Sequence, residues 1–207
     1  MDGSEGSGKS FETWCGVVIA LFAAVLAITD LGGGKYGDDE LIAHNEKGSA
    51  YLWYQSKGIM ETLVEGQRDT LQALMTAGSI RPEQLPAIQK MIQDLDGDAA
   101  RYGQEKKEIL LGSKTVGQEN WAQDVAGEMG KVTGAEEWKA KANALGDAGD
   151  VFDYSTFFLQ LCLVMGAMSL ILQQDRLRNI FFTAMIVMGL AGLGFSVMAF
   201  LQAGAIG

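Results

Sequence analysis

The sequence predicts an all-α integral membrane protein with three transmembrane helices and a long, coiled-coil-like helical insert between the first and second spans. Three observations predict it. Three apolar runs are each long enough to cross a bilayer, which takes about 20 residues of helix. Charge is segregated: residues 32–153 hold 13 Lys and Arg against 21 Asp and Glu, whereas the other 85 residues hold only 3 against 5. The charged stretch also repeats apolar residues at helical spacing and nowhere sustains the alternation of a strand.

In chain order, residues 1–12 are expected to be a flexible N-terminal tail. Gly3 to Ser10 matches the phosphate-loop pattern G-x4-G-K-[ST]. That loop needs a strand before it and a sheet around it, and here only Met1 and Asp2 precede it, so a Gly/Ser tail is the reading. Residues 13–31 form the first transmembrane helix, with Asp30 near its end. The run lacks the basic start and the small-residue cleavage site of a signal peptide, so an uncleaved anchor is expected.

Residues 32–153 form the acidic, helical soluble domain. Its first helix spans roughly Asp38 to Ala77, with Leu52, Ile59, Leu63 and Leu74 on or near one face and Trp53, Met60, Val64, Leu71 and Met75 beside it. Gly78 and the chain's only prolines, Pro82 and Pro86, end that helix and start the next. The next helix carries Leu85, Ile88, Ile92, Leu95, Ala99, Tyr102 and Ile109 in a 3-4-3-4-3-7 spacing. A loop is expected around Gly112 to Gly117, then a weaker third helix through Trp121, Val125, Met129, Val132, Trp138, Ala142 and Leu145. Gly127, Gly130 and Gly134 weaken it, each by about 1 kcal/mol against alanine.

The second transmembrane helix is residues 154–172 and the third is 180–202; a short basic turn, 173–179, joins them, and 203–207 is a C-terminal tail. Arg176 and Arg178 make that turn cytoplasmic by the positive-inside tendency. The N-terminus is then cytoplasmic and the soluble domain lies outside.

The spans carry no ionisable residue at mid-depth, where ion-coupled transporters usually hold one. They do carry small residues at helical spacing: Gly16, Ala20 and Ala24 in the first, and Gly189, Gly192, Ser196, Ala199 and Ala203 in the third. Such stripes let helices approach closely, either within one subunit or between subunits. In the insert, a helix with two apolar faces leaves Trp53, Met60, Val64 and Leu71 for a partner. Gly16, Ala20, Ala24, Trp53, Met60, Val64, Leu71, Gly189, Gly192, Ser196 and Ala199 are therefore the oligomer-interface candidates. Tyr51, Trp53 and Tyr54 lie too far past the first span to belong to its interfacial belt.

Several patterns are expected to be inert. Asp94, Asp96, Asp98 and Glu105 sit where a calcium loop would place them, but the sixth position is Ala99 instead of glycine. His44, the only histidine, has too few companions for a metal site. Glu105-Lys106-Lys107-Glu108 reads as a solvated helix face. Cys15 and Cys162 read as small packed hydrophobes. No nucleophile has an evident base. No catalytic residue, cofactor or metal is expected, and the acidic charge argues against nucleic acid.

His44-Asn45-Glu46 through Tyr51-Leu52-Trp53-Tyr54-Gln55-Ser56-Lys57-Gly58-Ile59 resembles the NEA…WAYYQAKSIK signature of a bacterial family of three-span membrane proteins known as domain of unknown function 4337. Arg101-Tyr102-Gly103-Gln104-Glu105-Lys106-Lys107-Glu108-Ile109 resembles its RYxxEKxEI segment, and Phe152 to Leu201 its closing pair of apolar helices. Leu52 and Gly58 depart from the signature. The resemblance implies a bacterial membrane protein and carries no assigned activity.

The function expected is non-enzymatic: a homo-oligomeric protein of the bacterial inner membrane, in contact with lipid, acting as a scaffold or interaction module for an unidentified protein partner. The alternative is an oligomeric pore or cation channel, with Thr156, Gln160, Ser169, Thr183 and Ser196 as candidate pore-lining groups.

Overall fold

The computed structural model describes residues 3–206, with side chains from residue 10 onward. The elements run α1 (Gly3–Thr76), η1 (Pro82–Gln84), α2 (Leu85–Leu111), α3 (Ser113–Val116), η2 (Gln118–Asn120), β1 (Asp124–Val125), β2 (Glu128–Met129), α4 (Ala135–Ile171) and α5 (Asp175–Gly204). Three of these helices are long and apolar enough to cross a membrane: α1, α4 and α5. The chain divides into two compact units. One takes the chain up to Leu41 and from Ala142 onward; the other is Ile42–Lys141.

In the first unit, parts of α1, α4 and α5 form a three-helix bundle whose register follows from its contacts. Partners of α1 on α5 advance together: the Phe11 and Phe182 rings lie 5.2 Å apart, and Thr29 Oγ1 is 2.8 Å from Ser196 Oγ. Partners on α4 run the other way, from Cys15 beside the Gly166 carbonyl to Tyr36 stacked on Phe152. So α1 and α5 are parallel and α4 is antiparallel to both. The core is made of small residues with aromatic rings set between them. A Cβ at Gly32 would overlap the Phe200 ring, and one at Gly189 the Phe22 ring. This close approach explains how α1 runs unbroken through Gly32-Gly33-Gly34, although glycine is a poor helix former.

Residues 3–12, expected as a flexible tail, thus lie in α1 where they are described. The phosphate-loop look-alike falls on the same turns, and its side chains before Ser10 lie outside the described residues. Serine and threonine hydroxyls turn inward elsewhere in the bundle. Ser155 Oγ donates to the Gly192 carbonyl at 2.8 Å, and Ser169 Oγ to the Arg178 carbonyl at 3.1 Å. In an apolar surrounding such groups need a partner, and these find backbone carbonyls.

In the second unit, α1 turns back at Gly78, whose φ of +67° suits the left-handed end of a helix. Pro86 stands in the first turn of α2, where its missing N–H does no harm. Contacts 57–105, 61–106 and 68–96 make α1 and α2 an antiparallel hairpin. Beyond it, Glu108 organises the segment expected to be a third helix. It is fully buried and accepts from Ser113 Oγ at 2.7 Å, Ala122 N at 2.7 Å and Gln123 N at 2.8 Å. Ser113 Oγ accepts from Val132 N, and Trp121 Nε1 donates to the Ser113 carbonyl. The weak third helix is therefore corrected before residue 135. Residues 124–129 form a minute antiparallel hairpin, with Val125 opposite Glu128. Its turn residues, Ala126 and Gly127, have φ of 55° and 83°, the sign that a two-residue hairpin turn requires.

Candidate interaction surface

Three ion pairs cross the hairpin of α1 and α2. Lys57 Nζ approaches Glu105 Oε2 to 2.7 Å, Lys106 Nζ donates to Glu61 Oε2 at 2.6 Å, and Arg68 Nη1 reaches Asp96 Oδ1 at 3.2 Å. Lys106 also sits 5.3 Å from the Tyr54 ring centre, and Lys57 5.6 Å from that of Tyr102. The Glu61 carboxylate hydrogen-bonded to it raises the Lys106 pKa above its ordinary range. Glu105 is 5% exposed and Glu108 fully buried, which corrects the reading of Glu105-Lys106-Lys107-Glu108 as a solvated face; of the four, only Lys107 is exposed.

The sequence held a signal for this. The apolar seam of α2 steps seven positions from Tyr102 to Ile109, and Glu105 fills the position three residues after Tyr102 and four before Ile109. A carboxylate in a seam position needs a cation on the facing helix, and Lys57 is there.

With its charges turned toward α2, α1 turns apolar groups outward. Leu52 is 68% exposed, Ile59 69% and Leu63 55%. Trp53, Val64 and Leu71 are half-buried, on the side that carries Lys57, Glu61 and Arg68; Met60 is exposed. Of the four insert candidates, three therefore lie on the hairpin side, and the free face belongs to Leu52, Ile59 and Leu63. Beside that face runs an open groove of about 1270 Å³ lined by Gly58, Ile59, Leu63, Gly66, Met91 and Leu95, among others.

The span candidates divide as well. Gly16, Ala20 and Ala24 are exposed on the bundle, and a Cβ at Gly16 would meet nothing. Gly189, Gly192, Ser196 and Ala199 are buried in the chain's own bundle, against Phe22, Leu159, Thr29 and Phe152 respectively. These four positions of the stripe thus pack within one chain.

Among the polar span residues, Ser169 and Ser196 are hydrogen-bonded inside the bundle, Thr156 Oγ1 donates to Asp30 Oδ1 at 3.1 Å, and Gln160 and Thr183 are exposed. Asp94, Asp96 and Asp98 follow one another around α2, and His44 Nδ1 accepts from Lys47 Nζ at 2.9 Å. Among the described residues no group of three His, Cys, Asp or Glu is placed to hold a metal ion.

No curated protein and no solved structure matches the chain. The family model described as domain of unknown function 4337 matches residues 11–202, which takes in all three apolar helices and the whole hairpin unit between them. The chain therefore belongs to the domain of unknown function 4337 family.

Proposed function

We propose that this protein is a non-enzymatic, homo-oligomeric scaffold of the bacterial inner membrane. The observation that carries the reading is the outward apolar face of α1 in the hairpin unit. Water-exposed helices normally turn charge outward, and an exposed apolar patch marks a surface that another molecule covers. The exposed Gly16, Ala20 and Ala24 give the bundle a flat strip where a second helix can approach closely. Arg176, exposed in the first turn of α5, and its neighbour Arg178 put that end on the cytoplasmic side and the hairpin unit on the other. Native mass spectrometry in mild detergent tests assembly: a multimer is expected, and a monomer at micromolar concentration sinks the proposal. For orientation, an impermeant thiol reagent should label Lys114→Cys from outside and leave Arg176→Cys untouched.

A pore is the second reading. Asp38, Asp39, Glu40, Asp147, Asp150 and Asp153 fall in residues 32–41 and 142–153 of the bundle unit, where the sequence has one basic residue, Lys35, a charge balance that would concentrate cations. Gln160 is exposed on the same bundle, and an amide facing lipid is unfavourable. Cation flux through proteoliposomes of the purified protein would favour this reading, and tight vesicles would remove it.

A further inference from the structure

The exposed face of α1 in the hairpin unit has a period. Gly48, Leu52, Gln55, Ile59, Thr62 and Gly66 are all exposed and follow a 4-3-4-3-4 spacing. That 3.5-residue repeat keeps one seam facing a second helix over its whole length, whereas a 3.6-residue repeat drifts around the helix. No exposed residue of α1 from Gly48 to Gln67 is charged; Lys57, Glu61 and Glu65 in that interval are all half-buried.

We infer that this seam is a parallel, in-register two-helix contact between two copies of the chain, related by a twofold axis. The inference rests on the homo-oligomer proposed above and specifies its geometry. Three observations choose a second copy as the occupant. First, the seam is self-complementary: Gly48, Thr62 and Gly66 allow close approach, while Leu52 and Ile59 supply the knobs. Second, Gln55 stands in the middle of it. An amide carries both donor and acceptor, so it can pair with its own symmetry mate, and such a polar pair fixes register. Third, the seam itself carries no charge, and the one cation lining the groove beside it, Lys106, is already paired with Glu61, so an acidic or basic partner finds no free counter-charge, whereas two neutral seams bring no like charges together. Two copies inserted in one membrane with one topology can meet only in parallel, and an isologous contact between parallel copies closes at two. The groove beside the seam, with Met91 and Leu95 on its α2 side, leaves room for the partner's Leu63.

The test is disulfide mapping in native membranes, using the full chain with Cys15 and Cys162 replaced by alanine. Ile59→Cys and Thr62→Cys should each give a covalent dimer of twice the chain mass under mild oxidant. The yield should exceed that of Gln93→Cys, exposed on α2, roughly tenfold, because a docked seam holds the thiols at millimolar effective concentration. Leu52→Asp in the Ile59→Cys chain should reduce the dimer to the Gln93→Cys level. No excess at either position, with native mass spectrometry still showing a multimer, overturns the seam and leaves the homo-oligomer standing. A monomer removes both. A product of some mass other than twice the chain assigns the face to a different protein and also overturns the inference.

Discussion

The two units solve opposite problems with the same long helix. In the bundle, α1 contributes Cys15, Thr29 and Gly32 to the core, together with the side chains of Ile19, Phe22 and Tyr36, while Leu21, Ile28 and Leu31 are exposed. In the hairpin, α1 contributes Lys57, Glu61 and Arg68 to a contact with α2, on the side that also carries half-buried Trp53, Val64 and Leu71, while Leu52, Ile59 and Leu63 are exposed. The outward faces look alike, but only in the bundle do they belong to stretches apolar enough to cross a membrane. The hairpin unit has 12 basic and 15 acidic residues, near balance, and three ion pairs join its helices. The comparison teaches that an exposed leucine has no meaning until the inward face of its helix is known.

The largest expected effect tests whether charge holds the hairpin unit from within. Glu108→Ala leaves Ala122 N and Gln123 N without their acceptor in a buried place and removes the partner of Ser113. It should destabilise the unit by about 3 kcal/mol or more, given about 1.5–3 kcal/mol for a single hydrogen bond to a charged group. Lys107→Ala, on the exposed side of the same helix, should stay within about 0.5 kcal/mol. Thermal unfolding followed by circular dichroism separates the two, and equal effects would deny Glu108 its organising place.

The bundle is tested next by adding volume. A Cβ at Gly192 comes within 2.7 Å of Leu159 Cγ, while one at Gly194 meets nothing within 4 Å. Gly192→Leu should cost about 1–3 kcal/mol by overpacking, and Gly194→Leu should be near neutral. The loss is expected inside one chain, so it should appear as lower thermal stability in detergent even where no multimer is present. If Gly192→Leu instead splits multimers into stable monomers, the small-residue stripe of α5 is an interface after all.

How much of this was legible depends on whether a signal was carried by composition or by a partner. The three apolar helices follow from run length alone. The turn after Thr76 follows from Gly78 and Pro82, and α2 from its 3-4 spacing. What stayed hidden needed a second element. The span at 13–31 and the helix from about Asp38 are one helix, whose Gly32 and Gly33 make room for the Phe152 and Phe200 rings. Glu105 and Glu108 look like surface until Lys57 and the 113–123 loop appear. The 124–129 hairpin turns on Ala126-Gly127, without the Asn-Gly or Asp-Gly signal that marks such turns. Which face of α1 is turned toward α2 stayed hidden for a related reason. Two apolar stripes on one helix look equivalent, and only the ion pairs to α2 decide which one is turned in.

A smaller effect probes the polar part of the bundle core. Thr29→Val removes the hydroxyl that faces Ser196 at 2.8 Å while keeping the shape. Side-chain hydrogen bonds between membrane helices are worth on average about 0.6 kcal/mol, so the loss should be near that value. The double variant Thr29→Val with Ser196→Ala should lose less than the sum of the two single variants, since each already breaks the same bond. Additive losses would mean that the two hydroxyls act separately.

The smallest effect is a titration in the hairpin unit. Tyr51 Oη donates to Glu136 Oε1 at 2.7 Å, and Lys139 Nζ to Glu136 Oε2 at 3.1 Å. The Tyr51 hydrogen bond first, and that of Lys139 second, hold the Glu136 pKa below its ordinary 4.5. The same bond raises the Tyr51 pKa above 10, because the phenolate would lose it and face a carboxylate. Because the folded-state pKa of Glu136 is the lower one, the carboxylate favours folding at pH above 4.5, and that contribution is lost as pH falls through the folded pKa. The site is solvated, so the change in stability should be slight and the titration itself is the better readout. Carbon-detected NMR of the Glu136 carboxyl should show a midpoint below 4.5 that moves up toward it in Tyr51→Phe. In Lys139→Met it should move up by less, and the shift in Tyr51→Phe should survive high salt, since a hydrogen bond at 2.7 Å is not screened as a surface ion pair is. A midpoint unchanged in Tyr51→Phe, but raised by salt and by Lys139→Met, would make the lysine's charge the cause instead.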